Sequence, residues 1–538
     1  MVSAGALIAF RAMSQTAPAS TTGVPSIRTY VEDRWVTGEG EGTVLRNPAT
    51  GEAIATAAIG GVDLGAALRH ARETGGPALR ALGFAARGAI LKTLSGIIRE
   101  HRDELLAVAM RNGGNTPADA RFDIDGASAT LAFYAHLGRS LGDARTLRDG
   151  EPVALGKAAL AGRHVWVSRR GAAVLINAYN FPAWGFAEKM ACALLAGMPV
   201  IVKPATQTAL VASRIAELFV DSGALPAGSW TFLAGPAGDL LDHLEAQDVL
   251  AFTGSAATGR RLRSHPRVLE KGVRVNVEAD SLNAAVLGPD VEPGSPTWEL
   301  FVREVAHEMT QKAGQKCTAT RRVFVPEARV EHAAQAIAER LRSVRLGDPF
   351  GEGVGMGPVV SREQRRDVEE GIALLEREAE VVWAGEETLG EAFVPPRLLV
   401  IRDPGRALEV HRREVFGPVA TLMPYDGTAE DAARLVALGE GSLVSSVYSE
   451  DPVFVKASVL EMAPYNGRVN VGAAETAAES MGPGTVLPGL VHGGPGRAGG
   501  GEELGGARGM QLYMQRVALQ GPRGVLERLV EDAAAPPA

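Results

Sequence analysis

The feature that most restricts the fold of this 538-residue chain is an alternation that begins at Gly171. Short apolar runs with the look of buried strands take turns with helical stretches. Ala172 to Asn177 reads as a strand, Phe186 to Leu195 as a helix ended by Gly197 and Pro199, and Val200 to Lys203 as the next strand. Leu210 to Val220 is helical up to Gly223, Trp230 to Leu233 extended, Leu240 to Ala246 helical and Val249 to Phe252 extended again. Repeated βα units place parallel strands in one sheet and helices on its faces, so the expected class is α/β, doubly wound.

The flanking segments follow other patterns. Leu64 to Met110 has a long Ala/Leu/Arg-rich helical period that would cover one sheet face. Pro152 to Ala159 and Arg163 to Ser168 flank Gly162 as a projecting hairpin. From Val273 a new strand begins, and Glu299 to Lys312, Val330 to Leu341 and Arg362 to Glu380 supply helices of a second α/β domain. Met481 to Gly506 is glycine-rich and reads as loop, and residues 1–25 as a loose tail. The expected division is 26–150 with 171–273, then 274–485, with 151–170 and 507–522 forming a small β arm.

Composition narrows the function classes. Against 55 Lys+Arg stand 63 Asp+Glu, a formal charge of −8, so there is no global attraction to nucleic acid or an anionic membrane. The short apolar run Ala4 to Phe10 precedes its first basic residue, Arg11, the reverse of a signal peptide, and no apolar stretch is long enough to span a bilayer. Two cysteines, Cys192 and Cys317, fit a reducing compartment, and a cytoplasmic location is expected.

Cys317 lies in Gly314-Gln-Lys-Cys-Thr318, after a helical stretch ending near Ala313. A thiol beside Lys316 in a loop is expected to have a lowered pKa, whereas Cys192, inside Met190-Ala-Cys-Ala-Leu-Leu195, reads as a small buried hydrophobe. One thiol alone is equally compatible with a structural role. Two lookalikes fail on spacing. His307-Glu308 opens like a zinc-protease helix, but Gln311 stands where the second histidine is needed. Gly254 to Gly259 continues into Arg260-Arg261 and not Lys-Ser/Thr, so it is no phosphate loop. No metal is expected.

The company of Cys317 changes its weight. Asn180-Phe-Pro182, Lys203-Pro-Ala205, Phe252-Thr-Gly-Ser255, Val277-Glu278, Gly314 to Cys317 and Glu414-Val-Phe-Gly-Pro418 occur in this order. The series resembles the aldehyde dehydrogenase superfamily, from about Tyr30 to about Gln520. The resemblance implies a Rossmann-like cofactor domain, a second α/β catalytic domain and an oligomerisation arm. It also implies oxidation of an aldehyde to an acid, with Cys317 as nucleophile.

On the same resemblance, Asn180 would donate its amide to the oxyanion together with the Cys317 backbone N–H, and Glu278 would be the general base. Taken singly, Asn180 also suits a turn and Glu278 a solvated strand end. The sequence departs from the family after that glutamate, with Ala279-Asp280-Ser281 in place of Leu-Gly-Gly. Lys203 would reach the adenosine ribose, Gly254 and Ser255 would open a helix toward the pyrophosphate, and Glu414 would hold the nicotinamide ribose with Phe416 packed nearby. Many NAD-preferring members carry glutamate after Lys-Pro-Ala; this chain has Thr206, which removes the repulsion of a 2′-phosphate and predicts NADP, with NAD also possible. The arm implies a homodimer or a dimer of dimers.

Leu490-Val-His-Gly-Gly-Pro-Gly-Arg-Ala-Gly-Gly-Gly-Glu-Glu-Leu-Gly505 and Val277-Glu-Ala-Asp-Ser-Leu-Asn283 resemble the dehydrogenases of CoA-linked semialdehydes formed by ring cleavage in aerobic benzoate and phenylacetate breakdown. The phenylacetate enzymes carry a further hydratase domain, so the stand-alone benzoate type is expected. Arg260, Arg261, Arg263, Arg267, Lys271 and Arg274 read as a solvated helix face or as contacts to cofactor phosphates before they read as a CoA-phosphate site. His492 and Arg497 are placed at the substrate mouth, or in a connecting loop. The alternatives are a CoA-acylating dehydrogenase, in which Glu278 is dispensable, and a non-catalytic scaffolding relative.

Overall fold

A computed structural model describes residues 23–156, 159–386 and 390–536. Most of the expected tail, 1–22, lies outside them. Two seven-stranded sheets form the body, each clad by helices.

The first sheet has the spatial order Arg274–Glu278, Val249–Thr253, Ala173–Ile176, Val200–Lys203, Trp230–Phe232, Thr29–Val31, Arg34–Val36. The five strands from Ala173 to Glu278 pair in parallel, while the two from the N-terminal region add antiparallel. Chain order reverses between Ala173–Ile176 and Val249–Thr253, which lie side by side. Both neighbouring crossovers leave that point in opposite directions, so a crevice opens beyond the strand ends at Asn177 and Gly254. Arg274–Glu278 closes this sheet, so the second one starts at Ala284 and not at 274 as expected.

The second sheet runs Glu380–Ala384, Arg397–Val400, Val419–Tyr425, Arg322–Pro326, Ala284–Leu287, Ser442–Tyr448, Asn466–Gly472, all parallel but for the first. Leu147–Ala154, Leu160–Ser168 and Met514–Pro522 form a separate antiparallel sheet that leaves Val153, Leu160 and Val517 exposed. The glycine-rich segment is not all loop: Val491–Gly494 and Gly501–Leu504 pair as a hairpin with His492 opposite Glu503. Leu240 to Ala246 shortens to a 3₁₀ turn at Leu240–His243.

One helix, Pro117–Leu141, does more than cover the first sheet. Its start is fixed by a capping box in which Thr116 and Asp119 satisfy each other's backbone N–H groups. Asp119 and Asp123 lie one turn apart on the same face. The carboxylate of Asp123 accepts from the backbone N–H of Ala183 at 3.2 Å and of Trp184 at 2.8 Å, and that of Asp119 from the N–H of Lys312 at 3.0 Å. Two loops from different sheets are thereby held against a single helix.

Candidate active site

Those two loops carry Asn180 and Cys317. The second turns sharply because Lys312, Ala313 and Gly314 have φ of 55°, 54° and 69° in succession. Left-handed backbone costs a non-glycine residue of order 1 kcal/mol or more, and it persists only where the surroundings impose it. At Gly314 a Cβ would lie 2.2 Å from the Gly417 carbonyl oxygen, so any larger residue forces the backbone to shift. The buried guanidinium of Arg321 stitches the turn in place, donating to the carbonyls of Gly314 and Gly417, each at 2.8 Å, and to Lys316 at 3.2 Å. From the other side Asn283 donates to the carbonyls of Cys317 and Ala319, both at 2.8 Å. Asn283 is in turn held by the Ser281 hydroxyl at 2.5 Å, so part of the unusual Glu-Ala-Asp-Ser-Leu-Asn stretch serves the cysteine loop.

The expectation that Lys316 lowers the Cys317 pKa is wrong. The turn sends the Lys316 side chain into the interior, where it donates to Glu308 at 2.8 Å and Gln311 at 2.6 Å. What the thiol meets is the Glu278 carboxylate, and burial together with that negative charge pushes it well above the ordinary thiol value. Cys192 is buried as expected.

Cys317, Asn180 and Glu278 come together although they derive from three separate segments. Asn180 is buried and its Nδ2 donates to the Gln315 carbonyl at 3.0 Å, which leaves the second N–H of the amide for another acceptor. Glu278, at the end of the first sheet's last strand, is 2 % exposed. Its Oε2 accepts from the Thr253 hydroxyl at 3.3 Å and faces His492 Nε2 at 3.3 Å, while Oε1 has no hydrogen-bond partner. Burial alone would raise this carboxyl; His492 first, then Lys189, outweigh it and hold it down to about 2. Lys189 is itself paired with Glu503 at 3.0 Å and donates to Thr253 at 2.7 Å.

Two cavities meet at this trio. One is lined by Asn177 to Asn180, Ala205, Phe252 to Ser255, Asp280, Gln364, Glu414 and Phe416, and so occupies the crevice at the chain reversal of the first sheet. The other is narrow and lined by Phe122, Phe181, Trp184, Glu188, Thr318, Val486 and His492. Asn180, Glu278 and Cys317 line both.

Other predicted residues fall as follows. Gly254 and Ser255 line the crevice, and Ser255 caps Ala256–Arg263, its oxygen accepting from Thr258 N–H. Asp280, where the family has glycine, accepts from the Ala256 N–H at 2.8 Å and thus already uses one donor of that helix end. Glu414 stands in the crevice with Oε1 unbonded and Arg321 at 3.9 Å; burial raises its carboxyl to about 8. The Phe416 ring meets Tyr179 edge-on at 6.0 Å. Lys203 and Thr206 are not among the residues that line the crevice, although Ala205 is; Lys203 Nζ donates to the Pro204 carbonyl at 3.0 Å, and burial lowers its amine to about 8. The basic stretch is not one surface: Arg267 and Lys271 pair with Glu245, Arg263 donates to Gly499, and Arg274 to Leu512 and Met514. His492 and Arg497 part company, His492 reaching Glu278 and Arg497 the carbonyl of Arg412.

The family model of the aldehyde dehydrogenases matches residues 35–517. The chain belongs to the aldehyde dehydrogenase family. It is an oxidoreductase that acts on aldehydes. This dehydrogenase is 45% identical over 475 residues to the 3,4-dehydroadipyl-CoA semialdehyde dehydrogenase of Aromatoleum evansii, covering 87% of this chain and 92% of the relative. It is 28% identical over 409 residues to the NADP(+) succinate-semialdehyde dehydrogenase of Escherichia coli K12, covering 73% and 79%. Among solved structures, betaine aldehyde dehydrogenase of Staphylococcus aureus in complex with NAD+ superimposes with a TM-score of 0.82 at 21% identity, over 96% of this chain and 97% of that one. That likeness confirms the α/β fold expected from the βα alternation. Among the described residues no single helix is long and apolar enough to cross a membrane.

Three features of the site were not read from the sequence: Arg321, Asn283 and the Lys189–Glu503 pair. An arginine immediately before a strand was the available signal for the first.

Proposed function

We propose that the chain oxidises a CoA-linked semialdehyde to its carboxylic acid with NADP, through a thiohemiacetal and then a thioester on Cys317. The carrying observation is that Cys317, Asn180 and Glu278 form the floor shared by two cavities, one for each reactant. Cys317 adds to the aldehyde carbon from the narrow side. The free N–H of Asn180 and the Cys317 backbone N–H take the oxyanion, where such donors act with least reorganisation. Glu278, held anionic, accepts a proton from the water that later attacks the thioester, and the Cys317 thiolate leaves.

The crevice fits a dinucleotide on its own terms. It lies at the chain reversal of a doubly wound sheet, a capped helix opens beside it, and the buried Glu414 Oε1 has no protein donor, which suits a ribose hydroxyl. Gly254, Ser255, Glu414 and Phe416 would hold the cofactor's phosphate and nicotinamide-ribose end. Lys203 and Thr206 would hold the adenosine ribose, and Thr206 with a nearby ammonium favours the 2′-phosphate. When bound, the nicotinamide supplies the hydride acceptor.

The CoA-linked substrate is supported by the 45% identical relative, whose name is that of a 3,4-dehydroadipyl-CoA semialdehyde dehydrogenase. The exposed Val153, Leu160 and Val517 on the small sheet support association of copies of this chain through that arm, as a homodimer or a dimer of dimers. NADP reduction with a panel of free and CoA-linked aldehydes, with and without free CoA, tests the reading. Highest kcat/KM for a CoA-linked semialdehyde, independent of free CoA, is expected. A strict need for free CoA would make it an acylating enzyme, and no turnover of any aldehyde would leave the scaffolding relative.

A further inference from the structure

The Glu278 carboxylate is faced at 3.3 Å by a histidine from a glycine-rich hairpin. His492 sits on Val491–Gly494, opposite Glu503 on Gly501–Leu504, and both side chains are buried. The hairpin thus delivers two groups to two neighbours: Glu503 to Lys189 at 3.0 Å, and His492 Nε2 to Glu278 Oε2 at 3.3 Å. One ligand-type atom each from Cys317, Glu278 and His492 lies within 4.8 Å of the other two. A fully buried acid–imidazole pair with a thiol on its open side is arranged to pass a proton along, not to brace a surface.

We propose that His492 is a positioning residue that acts through Glu278 as the terminal proton store of a Cys317–Glu278–His492 relay. The proposal rests on Cys317 and Glu278 serving as nucleophile and base. When Cys317 attacks, its S–H bond breaks and the S–C bond to the aldehyde carbon forms. That proton bonds to the Glu278 carboxylate, and the O–H so formed then breaks as the proton passes to neutral His492 Nε2. When water attacks the thioester, the water O–H breaks as the new O–C bond forms and its proton takes the same route, while the C–S bond breaks and Cys317 leaves as a thiolate that takes a proton back from solvent before the next cycle. Glu278 is left anionic after each step, beside an imidazolium that then releases its proton through the cavity it lines.

The charges around the ring agree with this role. His492 is faced by Glu278 from the sheet edge, Glu188 and Lys189 from the helix Trp184–Ala196, Glu503 from its own hairpin, and Cys317 from the turn. Burial lowers its basicity, but Glu278, then Glu188 and Glu503, outweigh burial and raise it above the ordinary histidine value. The relay therefore opens as pH rises through that raised value, when His492 becomes able to accept.

The experiment is the pH profile of Cys317 alkylation by iodoacetamide, located by mass, in wild type, H492Q, E278Q and the double variant. This readout needs no aldehyde, so it responds to His492 even if the substrate assignment fails. Cofactor binding and the thermal midpoint report on folding. H492Q is expected to slow alkylation by about tenfold on the alkaline side of the His492 titration, where the neutral ring can accept, and to move the profile to higher pH. The double variant is expected to match E278Q, because the two residues act in one chain. A H492Q profile that overlays the wild type, or losses that multiply in the double variant, would overturn the proposal. If H492Q does not fold, H492N takes its place in the same comparison; in either case an E278Q profile that retains the lower-pH portion of the wild type refutes the relay.

Discussion

The Asn180 amide donates to the carbonyl of Gln315, two residues before Cys317, at 3.0 Å. The contact spends one N–H on orienting the side chain and leaves the other for a developing oxyanion. Asn180→Ala is therefore expected to lower kcat by about 10²–10³ with little change in cofactor affinity, as for loss of one oxyanion donor. Steady-state kinetics with cofactor titration checks this; near-normal turnover would remove Asn180 from the site.

Gly314→Ala tests the turn. The position has φ of 69°, and the added methyl would press on the Gly417 carbonyl, through which the cysteine loop and the Glu414–Phe416 loop touch. A loss of about 2 kcal/mol in stability is expected, together with a large fall in activity, because Cys317 and the crevice wall shift together. Chemical denaturation and turnover measured on the same preparation give both values.

Cofactor choice has a pH signature. The Lys203 amine titrates near 8 in the free protein, and only its cationic form attracts a 2′-phosphate. NADP affinity should accordingly fall as pH rises through that value, by about tenfold between pH 7 and 9, while NAD affinity stays nearly flat. Thr206→Glu should reverse the preference, lowering kcat/KM for NADP by about tenfold or more through like-charge repulsion. Binding titrations at the two pH values and a comparison of both cofactors measure these effects. A higher kcat/KM for NAD than for NADP in the unaltered enzyme would contradict the NADP assignment.

The sequence was most informative where a residue's role depends on its own neighbours. Apolar runs with glycine stops located Ala173–Ile176, Val200–Lys203 and Val249–Thr253 to within a residue or so, and ordered short motifs singled out Asn180, Glu278 and Cys317. It was least informative where neighbours in the chain are not neighbours in space. Lys316 adjoins Cys317 in sequence, yet three left-handed residues turn its side chain toward Glu308. His492 lies in a stretch whose glycines hide a strand, and its partner Glu278 belongs to a different sheet. The edge position of Arg274–Glu278 in the first sheet follows from pairing with Val249–Thr253, which no local pattern encodes.

The proposed reaction turns on a covalent acyl group carried by Cys317 and released by Glu278. Intact-protein and peptide mass measurement of Glu278→Gln, quenched after mixing with a CoA-linked semialdehyde and NADP, addresses this directly. The predicted result is an acyl adduct on Cys317 in about one-to-one proportion to a single burst of NADPH, with turnover then slowed by about 10²-fold or more. Steady turnover at the wild-type rate with no adduct on Cys317 would contradict it.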